Sequence, residues 1–306
     1  MTSTIRSFLL AGALAAAAHP AALLAQGDRS RIDTTFAFGK GGSVDLGLVS
    51  GDIVVTGWTR AEAKISAFVE RGYIDATLSS THIGLQVRSR RGNMGDSRYE
   101  LMVPIGTRVT AHTVSGEVRV KATAGEVDAQ SVSGDVEVID ATDHVTVNTV
   151  SGNAHVAKAR GRVRVDLTSG DLDAEDLAGD IEAHSVSGGI EVRGARSSHF
   201  RAETVSGDIT YVGTVEANGT YDITSHSGDV KLEIPNGTGA TLSLQSFSGE
   251  IESRFPMTLQ PGQNTASRRG RKMEFTINGG GARITVETFS GDITIERGAS
   301  RTNKED

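Results

Sequence analysis

Cysteine is absent from this chain of 306 residues, and proline and aromatic residues are scarce. Without cysteine there are no disulfide bonds and no thiol for lipid attachment, so burial and backbone pairing must hold the fold together. Aromatic residues make up 5% of the chain and include a single tryptophan, Trp58. Trp58 and the four tyrosines form no periodic row, which argues against a stripe of aromatic platforms for sugar binding.

Positive charge is in deficit, because 31 lysine and arginine residues face 38 aspartate and glutamate residues and give a net charge of −7. This balance argues against a nucleic-acid binder and against a protein that binds anionic membranes. After the N-terminal segment, no apolar stretch approaches the ~20 residues that a spanning helix needs. We therefore expect no membrane span in the mature protein. Internal repetition must decide between two ordinary domains and one long repeat array.

The first residues have the three parts of a secretory signal. A positive charge at Arg6 precedes an apolar run over residues 8–18, and small residues follow around Ala25. The run is shorter than a membrane span and is interrupted at His19, so it predicts a cleaved signal peptide over residues 1–26 rather than an anchor. The mature protein is then expected to be exported, to the periplasm or to the cell surface.

A serine-glycine phrase recurs along the chain in the form apolar, Ser, Gly, acidic, apolar, any residue, apolar. The first five copies recur at a constant spacing of 18, and later copies follow at spacings of 19, 21, 21 and 42, the last being two steps of 21. An earlier copy stands at Ser50-Gly51-Asp52. The serines of the other copies are Ser115, Ser133, Ser151, Ser169, Ser187, Ser206, Ser227, Ser248 and Ser290.

A finer period of nine residues lies inside the repeat, because glycines fall on one grid that is missed only at Asp143. Apolar residues alternate after each grid position, as at Val136 and Val138. The alternation predicts strands with one buried face, and glycine supplies the backbone freedom that the corners need. Two nine-residue halves, each a strand and a corner, make one coil. Stacked coils then pair their strands at a spacing of ~4.8 Å.

The sequence therefore predicts an all-β protein, a β-solenoid of stacked 18–21-residue coils with a less regular N-terminal β cap. We expect residues 27–110 to form irregular strands and the cap, residues 111–298 to form the solenoid, and residues 299–306 to form a polar tail. A cap is needed because an exposed solenoid end invites edge-to-edge pairing. Arg283 to Arg297 are expected to form the last strands, and the cross-section is expected to widen from residue 200 onward.

Two longer phrases carry a resemblance to a known family. The run from Leu101 to Gly106 leads into the repeat at Ser115, and the run from Leu232 to Gly237 leads into a second copy at Ser248. With these phrases, residues 40 to 297 resemble the bacterial putative-adhesin family of exported β-solenoid proteins, a domain of unknown function. The resemblance implies an envelope or cell-surface role and supplies no catalytic residues to transfer.

The residues after Ser-Gly are predicted to form a row of acids, because equivalent positions of stacked coils lie above one another. Carboxylates ~4.8 Å apart repel one another, and a calcium ion would relieve that repulsion. Aspartate after glycine is also ordinary turn chemistry, so solvated corner residues are the favoured interpretation, with calcium as the alternative and no other cofactor. Asn153 and Gly189 interrupt the row, whose acidic members are Glu117, Asp135, Asp171, Asp208, Asp229 and Glu250.

The repeated serines and histidines do not predict a catalytic site. A hydrolase needs one serine with a base in reach, whereas a hydroxyl in every coil indicates a structural role at the corners. His112 and His184 share a phase but lie four coils, or about 19 Å, apart. His144, His155, His199 and His226 are expected to lie in different phases, with His155 in an outward row, so no zinc site is predicted.

Two basic runs stand out against the acidic average, Arg88-Ser89-Arg90-Arg91 and a second run near residue 270. Both are interpreted as loops between strands. Solvated loops are the simpler interpretation, and the alternative is an anion site whose arginines grip phosphates. The candidate residues of that site are Arg268, Arg269, Arg271 and Lys272.

The export signal, the repeat and the resemblance together predict a non-catalytic envelope or cell-surface protein. It would act as an adhesin or binding scaffold that presents a repetitive polar face of the solenoid, and its partner would be another protein or a polysaccharide. The alternative is a polysaccharide-acting β-helix enzyme, although no break carrying several carboxylates or arginines interrupts the repeat between residues 115 and 250. A further alternative is an envelope-stress or structural component that binds another protein.

Overall fold

The computed structural model of the chain describes residues 30–89, 95–255, 258–259 and 271–298. The predicted signal peptide and the predicted polar tail lie outside the described residues. Every regular element in the described part is a β-strand, which confirms the all-β prediction. Within these ranges, no helix is long and apolar enough to cross a membrane.

The N-terminal part contains strands that flank the early Ser50-Gly51-Asp52 copy of the phrase and strands that lie outside it. Their bounds are β1 (Arg31–Ala37), β2 (Ser43–Gly47), β3 (Asp52–Trp58), β4 (Glu62–Val69), β5 (Tyr73–Leu78), β6 (His82–Arg88) and β7 (Ser97–Pro104).

The regular coils follow, and each consists of a long strand that ends on the repeat serine and a short strand that follows the glycine. Their bounds are β8 (Arg108–Ser115), β9 (Val118–Lys121), β10 (Val127–Ser133), β11 (Val136–Ile139), β12 (Thr142–Ser151), β13 (Ala154–Ala157), β14 (Arg160–Ser169), β15 (Leu172–Glu175) and β16 (Ala178–Ser187).

In the C-terminal part, two strands are long enough to serve both sides of a coil. The bounds are β17 (Ile190–Ser206), β18 (Ile209–Ser227), β19 (Val230–Pro235), β20 (Ala240–Ser248), β21 (Ile251–Ser253), β22 (Thr258–Leu259), β23 (Arg271–Ile277), β24 (Ala282–Ser290) and β25 (Ile293–Gly298).

Parallel pairing between coils arranges the strands in two stacks with the core between them. The long-strand stack runs β6, β2, β8, β10, β12, β14, β16, β17, β18, β24, β20. The short-strand stack runs β7, β3, β9, β11, β13, β15, β17, β18, β19, β25, β21. The parallel, in-register stacking confirms the predicted β-solenoid.

Antiparallel strands cover three of the four ends of the two stacks. β5 pairs with β6, and β4 and then β1 pair outward from β7. At the other end β23 pairs with β20, and β22 pairs with β23. These strands end the parallel ladder, as a cap must do if neighbouring molecules are not to continue it.

The order of coils in space differs from the order in the chain at both ends. The coil of Ser50 stacks directly on that of Ser115, so residues 43–58 form a repeat coil inside the predicted cap. The coil of Ser290 lies between those of Ser227 and Ser248. Arg283 to Arg297 form the last strands of the chain, β24 and β25, as expected, but they are not the last in space, because the outermost coil is that of Ser248.

We call the turn after each repeat serine, between the long and the short strand, the first corner. Glycine is required there because the backbones of successive coils meet. Gly134 has a φ of 147°, and a Cβ on it would lie 2.1 Å from the carbonyl oxygen of Gly116. The second corner is the turn between the short strand and the next long strand. There Asp143, the one gap in the glycine grid, adopts a φ of 73°. Aspartate tolerates this left-handed region better than most residues, so the corner is kept without glycine.

The core changes in character along the solenoid. In the regular coils the inward residues are small, as with Val136, Val138 and Ala129, each at most 1% exposed. In the longer coils Phe200, Tyr211 and Tyr221 fill the core, with ring centroids 4.6 Å apart for Phe200 and Tyr211 and 5.8 Å for the two tyrosines. Burial raises the pKa of both tyrosines. The core of these longer coils is thus filled by aromatic rings, and the widening of the cross-section stays a prediction.

Candidate functional site: the rows of the first corner

The first corner of each coil brings consecutive side chains to the surface. In the coil of Ser133, Ser131 points inward and is 4% exposed, whereas Val132 is 47% exposed and Ser133 is also exposed. Gly134 then turns the chain, and Asp135 begins the other side with an exposed side chain. Because the chain bends here, an apolar residue and a serine share the outside of the bend in nearly every coil.

Stacking lines up the residue before each repeat serine into one row, which we call the corner ridge. Eight of the eleven exposed large hydrophobic side chains in the described part lie in this row, with exposures from 39% to 51%. Chance surface exposure would scatter them. In spatial order the row is Val49, Val114, Val132, Val150, Thr168, Val186, Val205, His226, Phe289 and Phe247.

The ridge ends in a stack of aromatic rings. The rings of Phe247 and Phe289 are parallel within 4°, with centroids 4.8 Å apart. His226 stacks on the other face of Phe289, with centroids 4.9 Å apart and planes within 7°. The faces cover one another at the coil spacing, so the edges of the rings continue the apolar row.

The repeat serines form a row beside the ridge, and their role differs from the structural one expected. No hydrogen bond joins the exposed hydroxyl of Ser115, Ser133 or Ser151 to another group of the described chain. Part of the inward row two residues earlier does bond the corners, since Thr204 donates to the Gly188 carbonyl at 3.2 Å and Ser225 to that of Gly207 at 3.2 Å. The buried hydroxyls of Thr113, Thr149 and Ser185 have no partner in the described chain. The repeat serines therefore offer free donors and acceptors to solvent or to a partner.

The predicted row of acids exists, and its geometry has a structural explanation. The aspartates of the row accept a hydrogen bond from the backbone N–H of the same position in the next coil, as at 2.8 Å from Asn153 to Asp135 and 2.7 Å from Gly189 to Asp171. The backbone N–H of Asp171 donates likewise to Asn153 Oδ1, at 3.0 Å. We call this row the acid ladder: Asp52, Glu117, Asp135, Asn153, Asp171, Gly189, Asp208, Asp229, Asp292 and Glu250.

Two members of the acid ladder follow only from the coil order in space. Asp292 lies between Asp229 and Glu250, since its N–H donates to Asp229 Oδ1 at 2.8 Å and its Oδ1 accepts from Glu250 N at 2.7 Å. Asp52 accepts from Glu117 N at 3.2 Å. Among the described residues, no group of three or more His, Asp or Glu side chains is arranged to hold a metal ion. Calcium binding by the ladder stays a prediction.

A groove of about 530 Å³ runs beside the corner ridge. One wall of the groove is the ridge from Val49 to Thr168. The other wall is a row of mostly polar residues, each two positions before a ridge residue in the chain. We call this second row the polar row: Gly47, His112, Gln130, Asn148, Asp166, His184, Glu203, Thr224, Glu287 and Gln245. The groove is thus apolar on one side and polar on the other.

The histidines lie in rows as expected, with one correction. His112 and His184 share the polar row and are separated by three residues of it. His155 lies in an outward row and contacts Asp173 at 3.4 Å. His144 and His199 were expected in different phases, but both stand seven residues before their repeat serine. They share a row, separated by Arg162 and Asp180.

Two surface contacts resemble a Ser-His-Asp arrangement and lack its geometry. Ser43 Oγ lies 2.9 Å from His82 Nδ1, and Asp45 Oδ2 lies 3.7 Å from the same nitrogen. The second set is Ser198, His199 and Asp180, at 3.1 and 3.2 Å, again all on Nδ1. A catalytic base must hold its orienting carboxylate on one ring nitrogen and take the serine proton on the other. These contacts therefore do not form a triad.

The basic runs fall mostly outside the described residues. Arg268, Arg269, Arg90 and Arg91 are not described, and Arg271 begins β23. Lys272 forms an ion pair with Glu274 at 2.8 Å, and that hydrogen bond raises the pKa of the lysine. Arg88 pairs with Asp75 at 2.9 Å. Lys272 lies within β23 rather than in a loop, and the anion site remains a prediction.

Comparison with known structures gives distant neighbours that span most of the chain. A putative adhesin from Bacteroides fragilis is 12% identical, with 87% of this chain and 96% of that chain covered and a TM-score of 0.40. A putative adhesin from Parabacteroides distasonis is 10% identical, with coverages of 88% and 98% and a TM-score of 0.35. A putative cell adhesion protein from Clostridium sporogenes is 11% identical, with coverages of 88% and 100% and a TM-score of 0.25.

No curated protein matches the chain. A family model does match it, over residues 96–296, which is more than half of the chain and includes every regular coil. The matched region begins at β7 and ends in β25, so it includes every coil that carries the corner rows except that of Ser50. The resemblance seen in the sequence is confirmed, and the chain belongs to the Toastrack DUF4097 family.

Proposed function

We propose that this protein is a non-catalytic, exported binding scaffold of the cell envelope or cell surface, acting as an adhesin or as a docking platform. The corner ridge is the observation that supports this proposal most strongly. Nine coil steps at about 4.8 Å make it roughly 40 Å long. The ridge valines stay about half exposed along that length although they belong to one row, and an exposed apolar row of this kind is typical of an interaction site.

The outward chemistry of the solenoid also favours binding over catalysis. Hydroxyls, carboxylates and imidazoles recur in rows, and the acids of the ladder are engaged in hydrogen bonds to the next coil. Catalysis needs one group whose surroundings differ from those of its copies, with a matched partner in reach. A row of equivalent groups instead suits repeated contacts along an extended partner.

The experiment that tests the proposal compares binding with turnover and location. Purified protein is incubated with envelope and plant polysaccharides, and new reducing or unsaturated ends are measured. In parallel, native cells are fractionated and the protein is followed by immunoblot. We expect no new ends, protein in the periplasmic or surface fraction, and co-sedimentation of purified protein with native envelopes.

Two results would overturn the proposal. Turnover of any polysaccharide would make the protein an enzyme. Recovery only in the cytoplasm would remove the export on which an envelope role depends. Substitution of ridge residues should reduce co-sedimentation with envelopes and leave the melting temperature unchanged, because these side chains are already half exposed.

A further inference from the structure

The charge around the corner ridge is of one sign. The acid ladder, on the far side of the repeat serines, carries eight carboxylates over ten coils. The polar row, on the near side, also contains Asp166, Glu203 and Glu287, but each lies near a cation: Arg164 pairs with Asp166, Arg201 pairs with Glu203, and Lys272 lies near Glu287. Neither row contains a lysine or an arginine, and neither does the ridge or the row of repeat serines.

The positive charges of the solenoid lie on other rows. Arg164 pairs with Asp166 at 2.8 Å from the row beyond the polar row, and that hydrogen bond raises the pKa of the arginine. Arg119 pairs with Glu117 from beyond the acid ladder. The remaining ladder aspartates between Asp135 and Asp292 form hydrogen bonds to backbone N–H groups, which do not neutralise their charge. The apolar strip is therefore bordered on its ladder side by aspartates that form no ion pair in the described chain, within a Debye length of about 8–10 Å.

We infer that the corner ridge binds a protein segment whose apolar side chains are bordered by lysine or arginine. This inference rests on the proposed binding function and specifies the partner. Charge complementarity carries it: a partner with basic borders would gain attraction along the whole ladder, which speeds encounter and sets specificity. The apolar contact would supply the burial, and the free serine hydroxyls would accept or donate hydrogen bonds to it.

The same charges argue against two other occupants. A second copy of this ridge would bring two acid ladders together, and like charges across an interface are unfavourable. An anionic lipid surface would be repelled for the same reason, since such surfaces attract basic segments. Both occupants become outcomes of the test.

The test uses a short synthetic peptide of alternating lysine and valine as the probe. Its controls are an alternating glutamate and valine peptide and an alternating lysine and serine peptide. Binding to the purified protein is measured by calorimetry at low and at physiological salt. We expect binding of the lysine and valine peptide alone, and a loss of affinity as salt rises.

Two sets of variants separate the ridge from the ladder. Val132→Ser, Val150→Ser and Val186→Ser together remove apolar contact and should weaken binding at least about tenfold. Ile105→Ser is the matched control, because Ile105 is also exposed, at 41%, but lies away from the ridge. The control variant should bind the peptide as the parent protein does.

The ladder variants follow a substitution that the protein already contains. Asn153 accepts the ladder hydrogen bond from Asp171 without a charge. Asp135→Asn, Asp171→Asn and Asp208→Asn together should therefore keep the fold, weaken binding of the lysine and valine peptide, and flatten its salt dependence. Circular dichroism and the melting temperature check that both sets of variants fold.

Several results would overturn the inference: equal binding of the lysine and glutamate peptides, unchanged binding in the ladder variants, ridge-dependent dimerisation, or ridge-dependent binding to phosphatidylglycerol vesicles. If the ridge variants lose envelope co-sedimentation while the lysine and valine peptide fails to bind, the partner's chemistry is wrong and the scaffold function stands. If parent and ridge variants sediment alike, the proposed role of the ridge fails as well.

Discussion

The regular coils from Val109 to Ser187 and the longer coils from Ile190 to Gly298 build one solenoid in two ways. In the regular coils the second corner is a tight turn, with left-handed residues such as Asp140 (φ 58°) and Asp176 (φ 52°), and the core is valine and alanine. In the longer coils β17 and β18 run through that corner without a break, and aromatic rings fill the core.

The difference shows that the spacing between coils is constrained, whereas the cross-section of a coil is not. Spacing between coils is set by backbone hydrogen bonds and stays constant, so the first corner with its glycine recurs in both regions. The cross-section is set by side-chain volume, and extra residues in a coil are accommodated when larger side chains fill the added space. The corner rows therefore continue unbroken across the change of coil length.

The largest effect is expected from charge in the core of the regular coils. Val136→Asp would bury an unpaired carboxylate between coils and should lower the free energy of unfolding by about 4 kcal/mol or more. Glu137→Asp, on the outward face, should change it by only a few tenths, about 0.5 kcal/mol at most. Urea unfolding measures both, and equal losses would show that the register is wrong.

The next effect concerns the stacked glycines of the first corner. Gly134→Ala should cost about 3 kcal/mol, because the new Cβ would meet the Gly116 carbonyl in addition to the strained φ. Gly237 also has a positive φ, of 89°, but nothing lies within 4 Å of the position that a Cβ would take there. Gly237→Ala should therefore cost only about 1 kcal/mol. Similar losses of melting temperature would show that backbone strain rather than stacking selects glycine at the first corner.

Buried tyrosines should separate the N-terminal part from the longer coils. Tyr211 donates to the Thr214 carbonyl at 2.8 Å, whereas the buried hydroxyl of Tyr99 has no partner in the described chain. Tyr211→Phe should therefore cost about 1 kcal/mol, and Tyr99→Phe should be neutral or stabilising by a similar amount. Loss of stability in both variants would mean that the Tyr99 hydroxyl has a partner.

The same tyrosines predict a dependence on alkaline pH. Burial raises the pKa of Tyr99 and Tyr211 above that of an unfolded tyrosine, which is about 10. The unfolded chain then releases these protons first, so their contribution to stability is complete below about pH 10 and is lost as the pH rises further. Tyr99→Phe should reduce this loss in unfolding measured from pH 8 to 11, and an unchanged slope would contradict the assignment.

The smallest effect is expected on the acid ladder. Asp171→Asn keeps an oxygen for the Gly189 N–H and removes one charge, so stability should change by less than about 0.5 kcal/mol. Asp171→Ala, which loses the acceptor, should cost about 1 kcal/mol. If millimolar calcium raises the melting temperature of the parent protein but not of the asparagine variant, the ladder binds calcium. No rise in the parent removes that prediction.

Much of the fold could be predicted because a repeat couples sequence to space in a simple way. The phase of Val136 and Glu137 relative to Ser133 predicted which side chain is buried, and the structure confirms it. The acids after Ser-Gly were predicted to line up, and they do so through hydrogen bonds from coil to coil. Asp143 stands where the grid has glycine elsewhere, but the corner keeps its form because aspartate can adopt the same left-handed backbone.

The corner ridge was not recognised as a candidate site, although the signal was present. From the sequence, the valines before Ser-Gly look like buried members of the alternating pattern, because Val132 lies in a strand. Burial shows that the alternation shifts there, with Ser131 inside and Val132 outside. Two polar residues flanking an apolar one, just before a glycine corner, would have indicated the shift.

The sequence by itself determined the coil, because the nine-residue period and its doubling specify strands, corners and the pairing of equal phases. Only the tertiary structure decided the order of coils at the two ends, where the coils of Ser50 and Ser290 lie beneath outer ones. The physical reason is that every coil carrying the phrase can pair with every other, so the phrase alone cannot rank neighbours. Which coil lies outermost depends on which neighbouring strand can end the parallel ladder, as β23 does on β20.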